Sequence, residues 1–301
     1  MSNDLKRLLY KLFLIIIIFI SIYGISIYNT TKEKIQYREE TIELPPNDKL
    51  KVYFIDVGQA DCILINSNNH FALIDGGNNR DGKKLVEYFK SLGITDFEYI
   101  FGTHAHEDHI GGLDYIIREF NVREVYMPDA KSDTETYKDI LRALNEKNME
   151  LSIPEIDSEL VLGNSIIRVL FSGTDTIDLN NSSIILKLLY GDTSYLFMAD
   201  APKDIENEIL NKNISSDVLK VGHHGSNYSS SANFLYKVHP KFAVIQVGKD
   251  NDYNLPKKVT LEKLDRIGTK VYRTDLDGTI ISTSDGKEIT FETIKTDTNN
   301  E

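Results

Sequence analysis

One cysteine in 301 residues rules out an intramolecular disulfide, so any domain built by this chain must be held by its core alone. Cys62 lies in the apolar stretch Cys62-Ile63-Leu64-Ile65, where a thiol reads as a small buried hydrophobe rather than a reactive group. It is also too far along the chain to carry a lipid anchor. Basic charge is short as well: 34 Lys and Arg stand against 46 Asp and Glu, for a net charge of −12. Proteins that capture nucleic acid by neutralising phosphates are usually basic, so tight non-specific binding of that kind is not expected. Turnover of a phosphodiester is not excluded, because bound divalent cations or a local patch such as Lys257-Lys258 would offset the balance. Internal repeats and low-complexity segments are missing too.

A long apolar run occurs once, from Leu12 to Tyr28, and carries no charge. That length is at the short end of the roughly 17–25 residues needed to span a bilayer. Lys6, Arg7 and Lys11 precede it, which keeps the N-terminus cytoplasmic and sends the remainder outside. No small-x-small cleavage site follows, which favours an uncleaved single-pass anchor over a signal peptide that would release a secreted domain. Residues 1–28 are therefore expected to be a cytoplasmic tip and transmembrane helix. Residues 29–48, polar and ending near Pro45-Pro46, read as a tether. Residues 49–295 form the main domain and 296–301 a polar tail.

Histidine is scarce, with seven in the chain, yet three fall in Thr103-His104-Ala105-His106-Glu107-Asp108-His109. Imidazole and carboxylate are ligands for zinc and its first-row neighbours. In an extended loop His104 and His106 point the same way and grip one metal, while Asp108 and His109 turn toward a second. Tyr99-Ile100-Phe101-Gly102 reads as a buried strand entering the loop, and Gly111-Gly112 leads into the helical spacing of Leu113, Ile116, Ile117 and Phe120. Those glycines are expected to let the backbone turn tightly beside the site.

Elsewhere, strands are expected at Leu50–Val57, Cys62–Asn66, Phe71–Ile74, Ser165–Phe171, Ser183–Leu189, Ser194–Met198, Val218–Val221, Phe242–Val247 and Thr279–Ser282. Helices are expected near Leu85–Leu92, Thr134–Glu146, Asp204–Leu210 and Lys257–Arg266. Strand clusters punctuated by helices suit two packed sheets flanked by helices. Asp200 ends an apolar strand and is the candidate to bridge two metals, the alternative being an N-cap for the helix after Pro202. His223 and His224 end another strand. Only one of such a pair should face the metal, and continuing the alternation of Leu219 and Val221 favours His223. Whichever is not the ligand is left to orient its neighbour or donate a proton.

The His-x-His-x-Asp-His run after a strand resembles the metallo-β-lactamase superfamily. More narrowly, the chain is similar to the ComEC/Rec2-type metallo-β-lactamase domain. The matching pieces are Phe54-Ile55-Asp56-Val57-Gly58-Gln59-Ala60-Asp61, Leu73-Ile74-Asp75-Gly76-Gly77, Asn180-Asn181-Ser182-Ser183, Phe197-Met198-Ala199-Asp200, His223-His224-Gly225-Ser226 and Val271-Tyr272-Arg273-Thr274-Asp275. The resemblance covers about residues 50 to 284. It implies an αββα four-layer sandwich, here behind one N-terminal transmembrane helix. It also implies two divalent ions, Zn2+ or Mn2+, and Asp75 holding the histidine-rich loop from behind. Asn181 and Ser226 would contact ligands or substrate. The usual third histidine of the first metal has no counterpart, since Asn180-Asn181-Ser182 occupies that region. An amide or water would complete that site, which should then hold metal less tightly and tolerate manganese. Ala60 stands where the family's turn has glycine. Tyr253-Asn254-Leu255-Pro256 replaces the frequent Tyr-Gly-His-Pro, so a polar group that would meet substrate is lost.

The function expected from this set is that of a membrane-anchored, extracytoplasmic hydrolase, a phosphodiesterase. Asp108 would hold a metal and orient the attacking water, and His223 or His224 would protonate the leaving group. DNA is the first substrate expectation. A cell-envelope phosphodiester, such as a phosphocholine or teichoic-acid linkage, follows closely, and β-lactams come third. A surface module that keeps its metal only for structure is the rival of another class.

Overall fold

A computed structural model describes residues 48–295. The expected transmembrane helix, most of the tether and the polar tail lie outside these residues. Among the described residues no helix is long and apolar enough to cross a membrane.

The first half of the domain runs β1 (Leu50–Phe54), β2 (Ile63–Ser67), β3 (His70–Ile74), α1 (Gly82–Ser91), β4 (Asp96–Phe101), α2 (Glu107–Ile110), α3 (Leu113–Glu119), β5 (Asn121–Tyr126), α4 (Glu135–Glu146) and β6 (Leu151–Ser152). Next come β7 (Glu159–Leu162), β8 (Ser165–Phe171), β9 (Ile185–Tyr190), β10 (Thr193–Phe197), α5 (Lys203–Ile209), β11 (Val218–Lys220), α6 (Ala232–Val238) and β12 (Phe242–Ile245). The chain closes with α7 (Lys258–Arg266), β13 (Lys270–Arg273), α8 (Thr274–Asp277), β14 (Thr279–Ser284) and β15 (Ile289–Ile294).

Among the described residues these strands make an eight-stranded sheet, β15-β14-β1-β2-β3-β4-β5-β6, and a seven-stranded sheet, β13-β12-β11-β10-β9-β8-β7. Alternation along the strands sorts side chains into three apolar layers. Ile63 and Ile65 pack between the sheets with Phe54, Phe101, Leu186, Leu188, Phe197 and Val244. Leu64 points the other way, joining Leu85 and Phe89 of α1, Ile116 and Ile117 of α3 and Ile140 of α4. On the far side Leu196 and Leu219 meet Ile205 and Ile209 of α5, Phe234 of α6 and Leu264 of α7. Helices thus cover both outer faces of a two-sheet sandwich, the layering expected from the sequence.

Within each sheet one half is antiparallel and the other parallel. The strands β3, β4, β5 and β6 run parallel in the first sheet, as do β10, β11, β12 and β13 in the second. Parallel strands end together, so the segments leaving β3, β4, β10 and β11 emerge on one rim, where ligand sites of such sheets form.

Several expectations needed adjustment. The first strand stops at Phe54 rather than Val57, because the Asp56 carboxylate accepts from Gly58 N at 3.1 Å and turns the chain. Among strands not anticipated, β5, β7, β13 and β15 carry charged residues, and β7, β13 and β15 lie at sheet edges or hairpin ends where little is buried. Gly111 and Gly112 have ordinary right-handed backbones, φ −58° and −90°. Their role is close approach, not turning. A Cβ on Gly111 would lie 2.2 Å from Asn79 N, and one on Gly112 2.3 Å from Gly76 O.

Candidate metal centre

Half of the site comes from each sheet. The turn after β3 supplies Asp75, the loop after β4 supplies His104 and His106, and the short helix α2 that follows supplies Asp108 and His109. The turn after β10 supplies Asp200, and the one after β11 supplies His223 and His224.

Three of these histidines have one ring nitrogen tied down, which aims the other at a common space. His109 Nδ1 donates to Asp75 Oδ2 at 2.8 Å, leaving Nε2 3.3 Å from Asp200 Oδ1 and 3.9 Å from Asp108 Oδ2. His224 Nδ1 donates to the Gln246 carbonyl at 2.9 Å, leaving Nε2 3.3 Å from Asp108 Oδ2 and 3.8 Å from Asp200 Oδ2. His104 Nδ1 sits 3.2 Å from Thr103 Oγ1, and its Nε2 faces His106 Nδ1 at 3.0 Å. Such anchoring of the remote nitrogen fixes tautomer and ring orientation, as metal ligands require.

Asp75 links the turn after β3 to the histidine-rich loop. It accepts from Thr103 N and Thr103 Oγ1, each at 2.8 Å, as well as from His109. Asp200 does not cap the following helix: its N-cap is Pro202, without a side-chain cap bond. Instead Asp200 belongs to one candidate ligand cluster with His104 and His109, beside a second formed by Asp108, His109 and His224.

The residues present fit divalent metal. Asp200 Oδ1 and His109 Nε2 are both buried and, though 3.3 Å apart, make no hydrogen bond. Ligands at 2.0–2.1 Å around a tetrahedral ion lie about 3.3 Å from one another. The 3.0, 3.3 and 3.8 Å separations at His104–His106, His109–Asp200 and His224–Asp200 bracket that figure. Electrostatics agree. Burial opposes charge on His224, but Asp200 and Asp61 outweigh it and raise its pKa to about 10. Burial likewise opposes charge on His109, and Asp200, Asp75 and Asp108 overcome it. Burial pushes the Asp108 carboxyl up, yet His109 and His224 hold it at about 2. So dense a set of buried acids and imidazoles is one that a cation would stabilise.

The structure departs from the alternation reading at the histidine pair. His224, buried, faces Asp108, whereas His223 is partly exposed with Nε2 3.6 Å from Asp200 Oδ2. The strand ends at Lys220, and both histidines adopt left-handed backbone, φ 51° and 50°. Period-two alternation has no force there. Holding two non-glycine residues left-handed costs about 1–3 kcal/mol each. Asp75 at φ 60° and Ala199 at φ 46° share the feature, though left-handed non-glycine residues also occur in turns elsewhere. His224→Ala is expected to lose metal on dialysis, whereas His223→Ala retains it and slows turnover. Equal metal loss in the two variants would contradict this geometry.

Asn181 and Ser226 are placed differently from expectation. The Asn181 amide donates to Asp175 at 2.9 Å, and the Ser226 hydroxyl accepts from Tyr228 N at 3.2 Å. Both build loops. Ile184 N donates to Thr103 O at 2.9 Å, which lays the Asn180–Ser183 segment against the histidine loop. There Asn180 Oδ1 and Ser183 Oγ are buried without hydrogen-bond partners among the described residues.

A residue pair beneath the centre escaped the sequence reading. Lys220 Nζ lies 2.7 Å from Asp61 Oδ2, with both side chains almost wholly buried. Asp61 Oδ1 is 3.3 Å from His224 Nδ1, and Asp61 N donates to Asp108 O at 3.0 Å. Burial raises the Asp61 carboxyl, but Lys220 and His224 outweigh it and hold it below the usual range. The available signal was a lysine inside the apolar strand Val218-Leu219-Lys220, since buried lysines are almost always paired.

A family model of the metallo-β-lactamase superfamily matches residues 55–249. The chain belongs to that superfamily. Among curated proteins it is 30% identical to ComE operon protein 3 of Bacillus subtilis over 76% of this chain and 32% of that protein. It is 27% identical to competence protein ComA of Neisseria gonorrhoeae, covering 82% of this chain and 33% of the relative. Recombination protein 2 of Haemophilus influenzae is 27% identical, with 75% and 28% covered. The chain therefore spans about a third of the length of these relatives. Among solved structures, the metallo-β-lactamase-fold protein YhfI of Bacillus subtilis has a TM-score of 0.53 at 14% identity, covering 81% of this chain and all of that one. The diiron β-hydroxylase CmlA of Streptomyces venezuelae has a TM-score of 0.52 at 17% identity, with 80% and 54% covered. The metallo-β-lactamase fold binds divalent metals, and the His/Asp clusters described above are the groups that could hold them here.

Proposed function

We propose that this chain is a membrane-anchored, extracytoplasmic hydrolase that uses two divalent cations, zinc or manganese, to cleave phosphodiesters. The observation that carries the reading is the pair of adjoining ligand clusters, His104/His109/Asp200 and Asp108/His109/His224; Asp200, whose second oxygen lies 3.8 Å from His224 Nε2 of the other cluster, is our candidate for the shared carboxylate. When bound, such cations supply an acidified water and stabilise charge on phosphoryl oxygens. Asp108, one-third exposed and ionised, lines the adjoining cavity and is placed to orient the attacking water. His223, partly exposed beside Asp200, is placed to protonate the leaving oxygen. His104, His106, His109 and His224 hold the ions, with Asp75 fixing the loop behind them.

Anchoring rests on the apolar run Leu12–Tyr28 behind Lys6, Arg7 and Lys11. The names of the relatives, competence protein and recombination protein, favour a nucleic-acid phosphodiester. The net charge of −12 favours an envelope phosphodiester as the second reading. Purified full chain loaded with manganese or zinc is expected to hydrolyse bis(p-nitrophenyl) phosphate, to lose that activity to chelator, and to spare the β-lactam nitrocefin. Cleavage of nitrocefin without any phosphodiester turnover would reverse the assignment. Metal binding with no hydrolysis of either would point to a structural metal site.

A further inference from the structure

We propose that Arg80 seats a second phosphate of the substrate, so that the site is built for a chain of regularly spaced phosphodiesters and not for an isolated one. This deepens the phosphodiesterase reading and rests on it. A cavity of about 450 Å³ opens directly from Asp108 and is lined also by Gln59, Asn78, Arg80 and Tyr253. Gln59 and Arg80 line a second cavity too, of about 770 Å³, whose other cations are Lys249 and Lys295. One guanidinium therefore stands where a groove leaving the metal centre widens. A single phosphodiester group needs only a part of the first cavity, whereas both together match a ligand several units long.

The guanidinium is free to act on a ligand. Its side chain is 77% exposed, and its carboxylate neighbour, Asp81 Oδ1, is 3.9 Å away. The other Asp81 oxygen accepts from Asn78 N at 2.9 Å and Asn78 Nδ2 at 3.1 Å. The remaining acids on the groove have donors of their own. Asp275 is clamped by Arg273 at 2.9 and 2.5 Å, Glu107 accepts from Asn79 N at 3.0 Å, and Asp56 accepts from Gly58 N at 3.1 Å. Among the described residues Arg80 is thus the cation next to the centre whose ion pair, 3.9 Å to Asp81, is long and leaves the planar fork open, and such forks suit phosphate. Tyr253, 66% exposed, offers a flat face on the same cavity for a base to stack on.

The test is equilibrium binding of a fluorescent phosphorothioate oligothymidylate, about ten nucleotides long, to the metal-loaded full chain across a salt series. Arg80→Ala is expected to weaken binding roughly tenfold and to lower the slope of log affinity against log salt by about 0.7, one single-strand phosphate contact. Arg80→Lys should recover the slope but not all the affinity, and Lys84→Ala, on the neighbouring helix outside the groove, should change neither. Poly(glycerol phosphate) competing as well as unlabelled oligothymidylate would show a seat that reads phosphate alone. Weaker competition would add a base on Tyr253. Unchanged affinity and slope in Arg80→Ala, or no measurable binding of either polymer to the wild-type chain, overturns the proposal. Hydrolysis of bis(p-nitrophenyl) phosphate, which has no second phosphate, is followed alongside and should be equal in the wild type and in Lys84→Ala. Its absence in the wild type would instead overturn the phosphodiesterase reading.

Discussion

Asp200→Ala loses bis(p-nitrophenyl) phosphate turnover by on the order of 10³-fold or more, because groups acting as one unit fail together. The carboxylate is 3% exposed, with one oxygen 3.3 Å from His109 and the other 3.8 Å from His224. Removing it therefore takes a ligand from the first cluster and, in the bridging arrangement proposed above, the carboxylate oxygen that faces His224 of the second. Metal analysis after dialysis should find both equivalents depleted, whereas His104→Ala should mainly deplete the cluster that contains His104. Losses in double variants should fall short of the product of the single ones. In the metal-free protein the same change leaves His109 and His224 without a principal counter-charge, so thermal stability should drop as well. Near-wild-type turnover with both metals retained would mean the centre lies elsewhere.

Lys220→Met lowers the unfolding free energy by about 3–5 kcal/mol, the usual effect of leaving a buried charge without its partner. Lys220 Nζ is 2.7 Å from Asp61 Oδ2 and also donates to the Val221 carbonyl at 3.1 Å. Methionine keeps most of the stem's packing, so the effect reports the charge. A drop in Tm of about 10 °C is expected for a domain of this size. The double variant Asp61→Asn/Lys220→Met should recover much of it, because replacing both members of a buried pair is often nearly neutral. A Tm within about one degree of wild type in Lys220→Met would show that the pair is already compensated by solvent. Because Asp61 also touches His224, a loss of metal affinity in the single variant but not in the double would tie the pair to ligand placement.

How much of this was legible in the sequence depends on how local the cause is. The histidine-rich loop could be read directly as a candidate ligand set, since its three histidines and one aspartate lie within six residues, His104 to His109. Their convergence follows from a strand end and one short turn. Helices α1, α4 and α7 were visible to within a few residues through their amphipathic spacing. Strands β5 and β15 were not, because each is held by pairing, β5 between β4 and β6 and β15 in an edge hairpin with β14, more than by an apolar face of its own. Arg80 gave no signal at all. In one dimension it is an arginine after two asparagines. Only the fold puts it on a groove with Asp108 and Gln59.

The sequence by itself determined the donor set: an imidazole-rich loop, an aspartate ending one strand and a histidine pair ending another, with one cysteine too buried to compete. Ligand chemistry belongs to the side chain, so identity and spacing were enough to name it. The tertiary structure decided everything that depends on direction. It joined donors from two sheets at one rim, through parallel strands that end together. It turned His224 rather than His223 inward, because a left-handed backbone there breaks the alternation that a strand would impose. It also set Lys220 against Asp61 beneath the site, across 159 positions of chain that no local pattern connects.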